Sequence, residues 1–247
     1  MYHHILPQNG FVTSSIQEFT DQMAYLANNH WHTLTSNEFL QYKLGLYNPP
    51  KKSVFITFDD GWKDNYIYAY PILKRFGLKA TLFIVTEWIE KASEKKSNNF
   101  ILLDHKQYKS SVIENVEEVI LSWDDIEKMS DVFDFHSHTH THRDNYFSSQ
   151  SWENELIYSR NIIKTRLGFE DLHLCWPRGK YDELLIKQAQ DIGYKILYTT
   201  KRGVNISDNN TTEIKRIATK KSLAWIRKIL FLYSNSHLGT VHSFLKK

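Results

Sequence analysis

The sequence is poor in cysteine, glycine and proline, with one, nine and five copies among its 247 residues. The single cysteine, Cys175, excludes an internal disulfide and any metal site built from several thiolates. No stretch reaches the roughly 20 consecutive apolar residues that a membrane-spanning helix needs. The formal net charge is +3, from 31 basic and 28 acidic residues, and this balance does not indicate a nucleic-acid-binding protein.

The N-terminus also lacks the features of a signal peptide. The segment from Met1 to Pro7 has neither a basic region nor an apolar run. We therefore expect a cytoplasmic protein if Met1 is the native start. If a leader has been removed, we expect an envelope or secreted protein.

Apolar residues are plentiful, and their pattern predicts an α/β fold. Hydrophobic residues make up 41% of the chain, which suits one large domain covering residues 1–247. Residues 53–56 read as a buried strand, 66–76 as a helix and 80–85 as a second strand, which together form a parallel βαβ unit. The Lys- and Ser-rich stretch near 90–118 is typical of a surface insertion.

The first polar motif, Thr57 to Gly61, places two adjacent carboxylates where that first strand ends. Neighbouring side chains on a strand point to opposite faces, so Asp59 and Asp60 can serve one site only if the strand ends there. One carboxylate can then bind a metal while the other moves a proton. The alternative is an Asp-Asp-Gly turn whose carboxylates are simply solvated.

The second motif is a histidine cluster, since residues 136–142 hold four of the 12 histidines. His138 and His142 can turn to one centre if a strand ends between them. Two histidines and one carboxylate are a common catalytic zinc set that leaves a position open for water. Such a metal lowers the pKa of its water toward ~7 and polarises a carbonyl, while a neighbouring carboxylate acts as general base.

Other families use similar histidine patterns. His136 and His138 resemble the His-x-His of metal-dependent amidohydrolases, although those enzymes usually carry it on their first strand. Metallo-β-lactamases need an aspartate directly before a histidine, and this window has none. A polar strand face without a metal is the remaining alternative.

Together the two motifs, Thr57 to Gly61 and His138-Thr139-x-x-His142, resemble the polysaccharide deacetylases of the NodB-homology group, carbohydrate esterase family 4. The resemblance implies a distorted (β/α) barrel of about seven strands and metal-dependent removal of N-acetyl groups from amino sugars. It also implies one divalent metal, with zinc favoured and cobalt or nickel as alternatives. The resemblance further implies that Asp60, His138 and His142 bind the metal and that Asp59 is the general base.

A third motif, Trp176-Pro177-Arg178-Gly179, departs from the family's usual Arg-x-Pro-x-Gly because the leading arginine is absent. The departure resembles the branch of biofilm poly-N-acetylglucosamine deacetylases. Its resemblance implies that the backbone N–H of Arg178 stabilises an oxyanion. It also implies that the substrate contacts Trp176, Pro177 and Tyr181.

That branch carries its catalytic histidine in an N-terminal Tyr-His segment, which Tyr2 and His3 match. The resemblance therefore implies that His3 is the catalytic acid. In the ordinary order of the family's motifs the catalytic histidine lies near the C-terminus, and here that residue would be His242. No apolar strand precedes His242, which favours His3.

The predicted function is hydrolysis of N-acetyl groups on a cell-envelope or extracellular polysaccharide. The expected partner is an N-acetylated glycan, with no nucleic acid and no transmembrane segment. One alternative is a deacetylase of a small or lipid-linked amino sugar in envelope glycan biosynthesis. The other is a glycan-binding relative without catalytic activity.

Overall fold

Nine short strands in three parallel sheets organise the described part of the chain. The structure is a computed structural model that describes residues 1–95, 97, 99–142, 152–219 and 222–245. Two of the sheets have two strands each: β1 (His4–Leu6) with β2 (Thr13–Ser15), and β3 (His32–Thr33) with β4 (Ser53–Val54). The third sheet contains β5 (Thr57–Asp60), β6 (Ala80–Ile84), β7 (Phe133–Ser137), β8 (His173–Cys175) and β9 (Ile196–Tyr198), in that order.

Helices connect these parallel strands, as the predicted βαβ pattern requires. In chain order they are α1 (Ile16–Asn28), α2 (Ser36–Lys43), α3 (Tyr70–Arg75), α4 (Thr86–Lys95), α5 (His105–Glu114), α6 (Val116–Val119), α7 (Trp123–Met129), α8 (Trp152–Leu167), α9 (Glu183–Ile192), α10 (Leu223–Tyr233) and α11 (Ser236–Phe244). A π-helical turn, Asn65–Ala69, leads into α3. Capping boxes start α1, α2, α5 and α7, so local sequence alone fixes where these helices begin.

The predicted α/β fold with a curled parallel sheet is confirmed, but the continuous sheet has five strands rather than about seven. The predicted strand at 53–56 is also divided. Residues Ser53–Val54 pair with β3, whereas Thr57–Asp60 pair with β6. Asp59 and Asp60 are therefore the last two residues of a strand and do not follow it. The segment is divided because its two parts pair with different strands, and no local pattern in the sequence reveals that pairing.

The predicted surface insertion near 90–118 is partly built into the core. Apart from residues 96 and 98, which lie outside the described part, it holds the end of α4, all of α5 and most of α6. Tyr108 of α5 is fully buried and stacks on His4 at 4.9 Å between ring centroids. The stretch therefore reaches β1, next to the candidate site. That it is an insertion, and that one domain covers 1–247, stay predictions.

Apolar side chains on both sides of the central sheet form the core. The largest cluster includes Phe58, Leu82 and Phe133, which are at most 2% exposed. None of the helices in the described ranges combines the length and apolarity that a bilayer crossing requires. Because all five strands of the central sheet are parallel, their carboxyl ends meet along one edge, where polar clusters come together.

Candidate active site

The end of β5 turns two adjacent carboxylates toward one histidine. Asp60 has a positive φ of 81°, so the extended conformation and its side-chain alternation end at that residue. A ring nitrogen of His138 lies within 4.8 Å of a carboxylate oxygen of Asp59 and of Asp60. The condition that the sequence imposed, a strand ending at the Asp pair, is met.

Asp60, His138 and His142 form a group with metal-ligand geometry. The Oδ1 atom of Asp60 lies 3.4 Å from Nε2 of His138 and 3.6 Å from Nε2 of His142. All three side chains are at most 8% exposed. A second group, Asp59, His138 and Cys175, has equally close atoms, but its carboxylate is already occupied by an arginine, as described below.

Hydrogen bonds behind this group orient its members. Nδ1–H of His138 donates to the carbonyl oxygen of Cys175 at 2.8 Å, which directs Nε2 toward Asp60. Nε1–H of Trp62 donates to Oδ2 of Asp60 at 2.8 Å, leaving Oδ1 facing the histidines. Glu155 of α8 accepts from the backbone N–H and the hydroxyl of Thr141, at 2.9 and 2.6 Å, and so fixes the loop that carries His142.

The protonation states of Asp60 and His142 favour the binding of a cation. Burial by itself raises the pKa of Asp60, but a hydrogen bond with His138 and the charges of His3 and His142 outweigh it and hold that pKa well below its usual value. Burial lowers the pKa of His142 to about 4. Asp60 is therefore ionised and His142 neutral near pH 7, which are the forms that bind metals. For His138, burial lowers the pKa, but Cys175 and the hydrogen bond with Asp60 raise it well above its usual value, so a metal would have to displace a proton from this ring.

Arg216 binds Asp59, a contact that the sequence did not reveal. Its two terminal nitrogens donate to Oδ1 and Oδ2 of Asp59 at 2.6 and 2.9 Å, and its Nε donates to the carbonyl of Thr199 at 2.9 Å. Burial raises the pKa of Asp59, but Arg216, followed by His138 and His3, lowers it overall. This arginine lies 38 positions after Arg178, outside the third motif. The only sign of this contact in the sequence was the position of the arginine, with one isoleucine two residues before it and another directly after it.

The two N-terminal histidines have different surroundings. Nε2 of His3 lies 3.9 Å from Oδ2 of Asp59, and its side chain is 20% exposed. His4 is fully buried, and its Nδ1–H donates to Asp64 at 3.0 Å. His242 lies on α11, where its Nδ1 is 3.2 Å from the hydroxyl of Tyr233. Of the three, His3 is the one placed beside Asp59.

The other two histidines of the cluster have structural contacts. Nδ1–H of His136 donates to Asp171 at 2.8 Å, and its ring stacks on His173 with centroids 4.1 Å apart. His140 pairs through Nδ1 with the hydroxyl of Thr86 at 3.0 Å. The resemblance implied His138 and His142 as ligands, and the structure places these two members of the cluster close to Asp60.

The turn after β8 contains the remaining predicted residues. Arg178 has a positive φ of 56° at the tip of the turn Pro177–Gly179. Pro177 is buried, and Trp176 is fully buried between Trp152 and Tyr181, with centroids 5.9 and 6.0 Å away. Trp176 and Pro177 therefore lie beneath the surface of this turn, and their contact with substrate stays a prediction. Tyr181 is partly exposed, and its substrate contact stays a prediction.

Backbone strain is concentrated at these strand ends. Seven described residues other than glycine have a positive φ, and four of them, Asp60, Thr139, His142 and Arg178, lie in the three polar motifs. Such conformations cost energy and persist where the surrounding contacts enforce them, which is common at functional sites. The strain agrees with the contacts in locating the site.

Comparison with known sequences identifies the family. The sequence model for "Polysaccharide deacetylase" matches residues 47–197. A Bacillus subtilis (strain 168) protein, YxkH, which carries a polysaccharide deacetylase name, is 28% identical over 225 residues, or 91% of this chain and 71% of that protein. A poly-β-1,6-N-acetyl-D-glucosamine N-deacetylase of Staphylococcus epidermidis is 28% identical over 211 residues. That match covers 81% of this chain and 66%, just under two thirds, of the relative.

Solved structures share the fold. The structure of IcaB from Ammonifex degensii has a TM-score of 0.74 at 18% identity and covers 95% of both chains. A Streptococcus pyogenes deacetylase, PplD, in complex with acetate has a TM-score of 0.73 at 22% identity, covering 92% of this chain and 95% of that one. With the family match over more than half of its residues, the chain belongs to the polysaccharide deacetylase family, whose members are hydrolases of carbon–nitrogen amide bonds.

Proposed function

We propose that this chain is a metal-dependent N-deacetylase of polymeric N-acetylated amino sugars, in a cell-envelope or extracellular polysaccharide. One observation carries the proposal. Asp59, whose two carboxylate oxygens accept from Arg216, lies directly beside Asp60 at the end of β5, and Asp60 forms a close group with His138 and His142. The S. epidermidis relative is named for poly-β-1,6-N-acetyl-D-glucosamine, which supplies the substrate class that we propose.

The donor set fits a single divalent cation. His138 Nε2, His142 Nε2 and Asp60 Oδ1 are close enough to share one ion, and two nitrogens with one oxygen favour zinc over magnesium or calcium. Cobalt and nickel are the alternatives. When bound, such a metal supplies Lewis-acid polarisation of the acetyl carbonyl and lowers the pKa of a bound water.

Asp59 is the proposed general base. Its carboxylate lies beside the metal group without being one of its preferred ligands, because Arg216 occupies both oxygens. The positive charge keeps Asp59 ionised, so it can accept the proton of the attacking water. The same pair fixes the orientation of the carboxylate, since the guanidinium is held in turn by Thr199.

His3 is the proposed acid for the leaving amine. An amine leaves readily only when it is protonated, so a proton donor must stand near the base but outside the metal set. His3 meets this requirement at 3.9 Å from Asp59, with a side chain that remains 20% exposed. The backbone N–H of Arg178, in the strained turn after β8, is the proposed donor to the oxyanion.

Acetate release from defined glycans tests the function. Purified protein reconstituted with zinc should release acetate from the β-1,6-linked N-acetylglucosamine pentamer, and a chelator should abolish the release. Asp59→Asn is the matched inactive control. Release from the monosaccharide or a lipid-linked sugar alone would support the biosynthetic alternative, and no release with zinc, cobalt or nickel would contradict an enzymatic role.

A further inference from the structure

A groove of about 560 Å³ is lined in part by His105, which contacts His4. One wall is the loop between β1 and β2, and the other is the segment that enters α5. The residues that matter here are Pro7, Gln8 and Phe11 on the first wall and Leu102, Leu103 and His105 on the second. A volume of this size lies within the range of about 300–1,000 Å³ that small-ligand sites have.

The groove opens on the same edge of the fold as the candidate site. Strand β1 runs parallel to β5, since Tyr2 forms a parallel bridge with Phe58. His3 is therefore level with Asp59, and the loop that follows Leu6 extends beyond the carboxyl ends of the strands. This is the side from which a substrate reaches Asp59 and Asp60.

His105 connects the groove with the catalytic residues. Its Nδ1 lies 3.1 Å from Nε2 of His4, the residue next to His3 in the chain. Its ring is also 6.2 Å from that of Trp62, whose Nε1–H donates to Asp60. The half-buried side chain of His105 thus lines the groove and also contacts His4 and Trp62, which lie next to the candidate metal group.

The exposed side chains of the groove suit a sugar. Phe11 is 78% exposed and Leu102 is 54% exposed, so the two walls present apolar surface to solvent. The Phe11 ring stands 5.6 Å from His105, and Gln8 adds an exposed amide. Sugar rings have apolar C–H faces bordered by hydroxyl and acetamido groups, so an aromatic ring flanked by an amide and an imidazole matches both kinds of surface.

We propose that this groove binds the sugars of the glycan chain that adjoin the residue being deacetylated, with Phe11 as their stacking platform. The proposal rests on the proposed function, which it deepens: the groove makes the enzyme prefer oligomers to short substrates. The occupant follows from continuity, because a glycan bound with one acetamido group at Asp59 has neighbouring sugars that extend past His105.

Chain-length dependence tests the proposal. For the β-1,6-linked N-acetylglucosamine dimer and hexamer, kcat/KM is measured with zinc-loaded wild type, Phe11→Ala and Leu102→Ala. We expect Phe11→Ala to lower the hexamer-to-dimer ratio of kcat/KM about tenfold, mainly through KM, as lost aromatic stacking predicts. Leu102→Ala should lower the same ratio to a smaller extent. Phe231→Ala, which removes another ring that is 72% exposed but does not line the groove, should leave it unchanged.

A binding measurement separates this proposal from the catalytic one. In the Asp59→Asn background, hexamer affinity should fall about tenfold when Phe11→Ala is added. If wild type releases no acetate but this loss of affinity is seen, the groove stands and the proposed function fails. If wild type is active but Phe11→Ala changes kcat/KM for the dimer and the hexamer by the same factor, or changes neither value, the groove proposal is overturned.

Discussion

Arg216 and Asp59 are 157 positions apart in the sequence, and they form a buried ion pair in which the guanidinium contacts both carboxylate oxygens. Each side chain is only 4% exposed. A buried carboxylate without a partner takes up a proton and stops acting as a base. Together with His138 and His3, Arg216 therefore keeps Asp59 ionised, the form that its proposed role as base requires.

Replacing this arginine should change the pH dependence. Burial raises the pKa of Asp59 and Arg216 lowers it, so Arg216→Gln raises that pKa. A base is lost as pH falls through its pKa, and the acidic limb of kcat/KM should move to higher pH. We expect activity at neutral pH to fall by at least about tenfold. Arg216→Lys is the control, because it keeps the charge and should move the limb less.

The check is a pH profile of each variant with unfolding followed in parallel. Removing one partner of a buried pair costs about 3–5 kcal/mol of stability, so only temperatures at which the variant is folded are informative. An acidic limb that stays in place in folded Arg216→Gln would show that Asp59 is not the base.

Metal content should distinguish Asp59, the proposed base, from His142, a proposed ligand. His142→Ala removes one of three close ligand atoms, so we expect metal and activity to be lost together. Asp59→Asn should keep the metal and lose about 10²–10⁴-fold in turnover, because a base has been removed and a ligand has not. Elemental analysis of both purified variants decides. Full metal content in His142→Ala would mean that the ligand set is wrong.

The alkaline limb of the profile should belong to His3. Burial lowers its pKa, although the charges of Asp60 and Asp59 raise it in part. An acid must start protonated, so activity falls as pH rises through this pKa, and we expect the limb below the ordinary imidazole value of about 6.5. His3→Ala should remove the limb and cost orders of magnitude in kcat.

Two other histidines serve as controls for that assignment. His242→Ala should be nearly silent, since His242 contacts Tyr233 on the last two helices. His4→Ala should lower stability, because it leaves buried Asp64 without one of its partners. If His242→Ala abolishes the alkaline limb while His3→Ala does not, the catalytic acid is His242 and the chain follows the ordinary order of the family's motifs.

Trp176 should behave as a core residue. It is fully buried, and its Nε1–H has no hydrogen-bond partner among the described residues. Trp176→Ala should therefore cost about 3–5 kcal/mol of stability, whereas Trp176→Phe should retain the packing and leave KM unchanged. Chemical unfolding and substrate titration measure the two effects. A raised KM in a Trp176→Phe protein of normal stability would instead support the predicted substrate contact.

Local patterns were sufficient for the fold class and for the position of the site. Ser15 with Glu18 and Ser122 with Asp125 form capping boxes within four residues, so the helix starts need no distant partner. The α/β pattern, a strand end near the Asp pair and the histidine cluster were likewise visible, because each depends on spacing along a short segment.

The sequence by itself thus determined the element types and the group of residues that meet at the sheet edge. Only the tertiary structure decided that Arg216 holds Asp59, that His136 and His140 have structural partners, and that Trp176 is buried. The reason is physical. Helix starts and strand ends depend on neighbours in the chain, whereas a carboxylate's partner depends on how the sheet curls and which distant backbone it brings near.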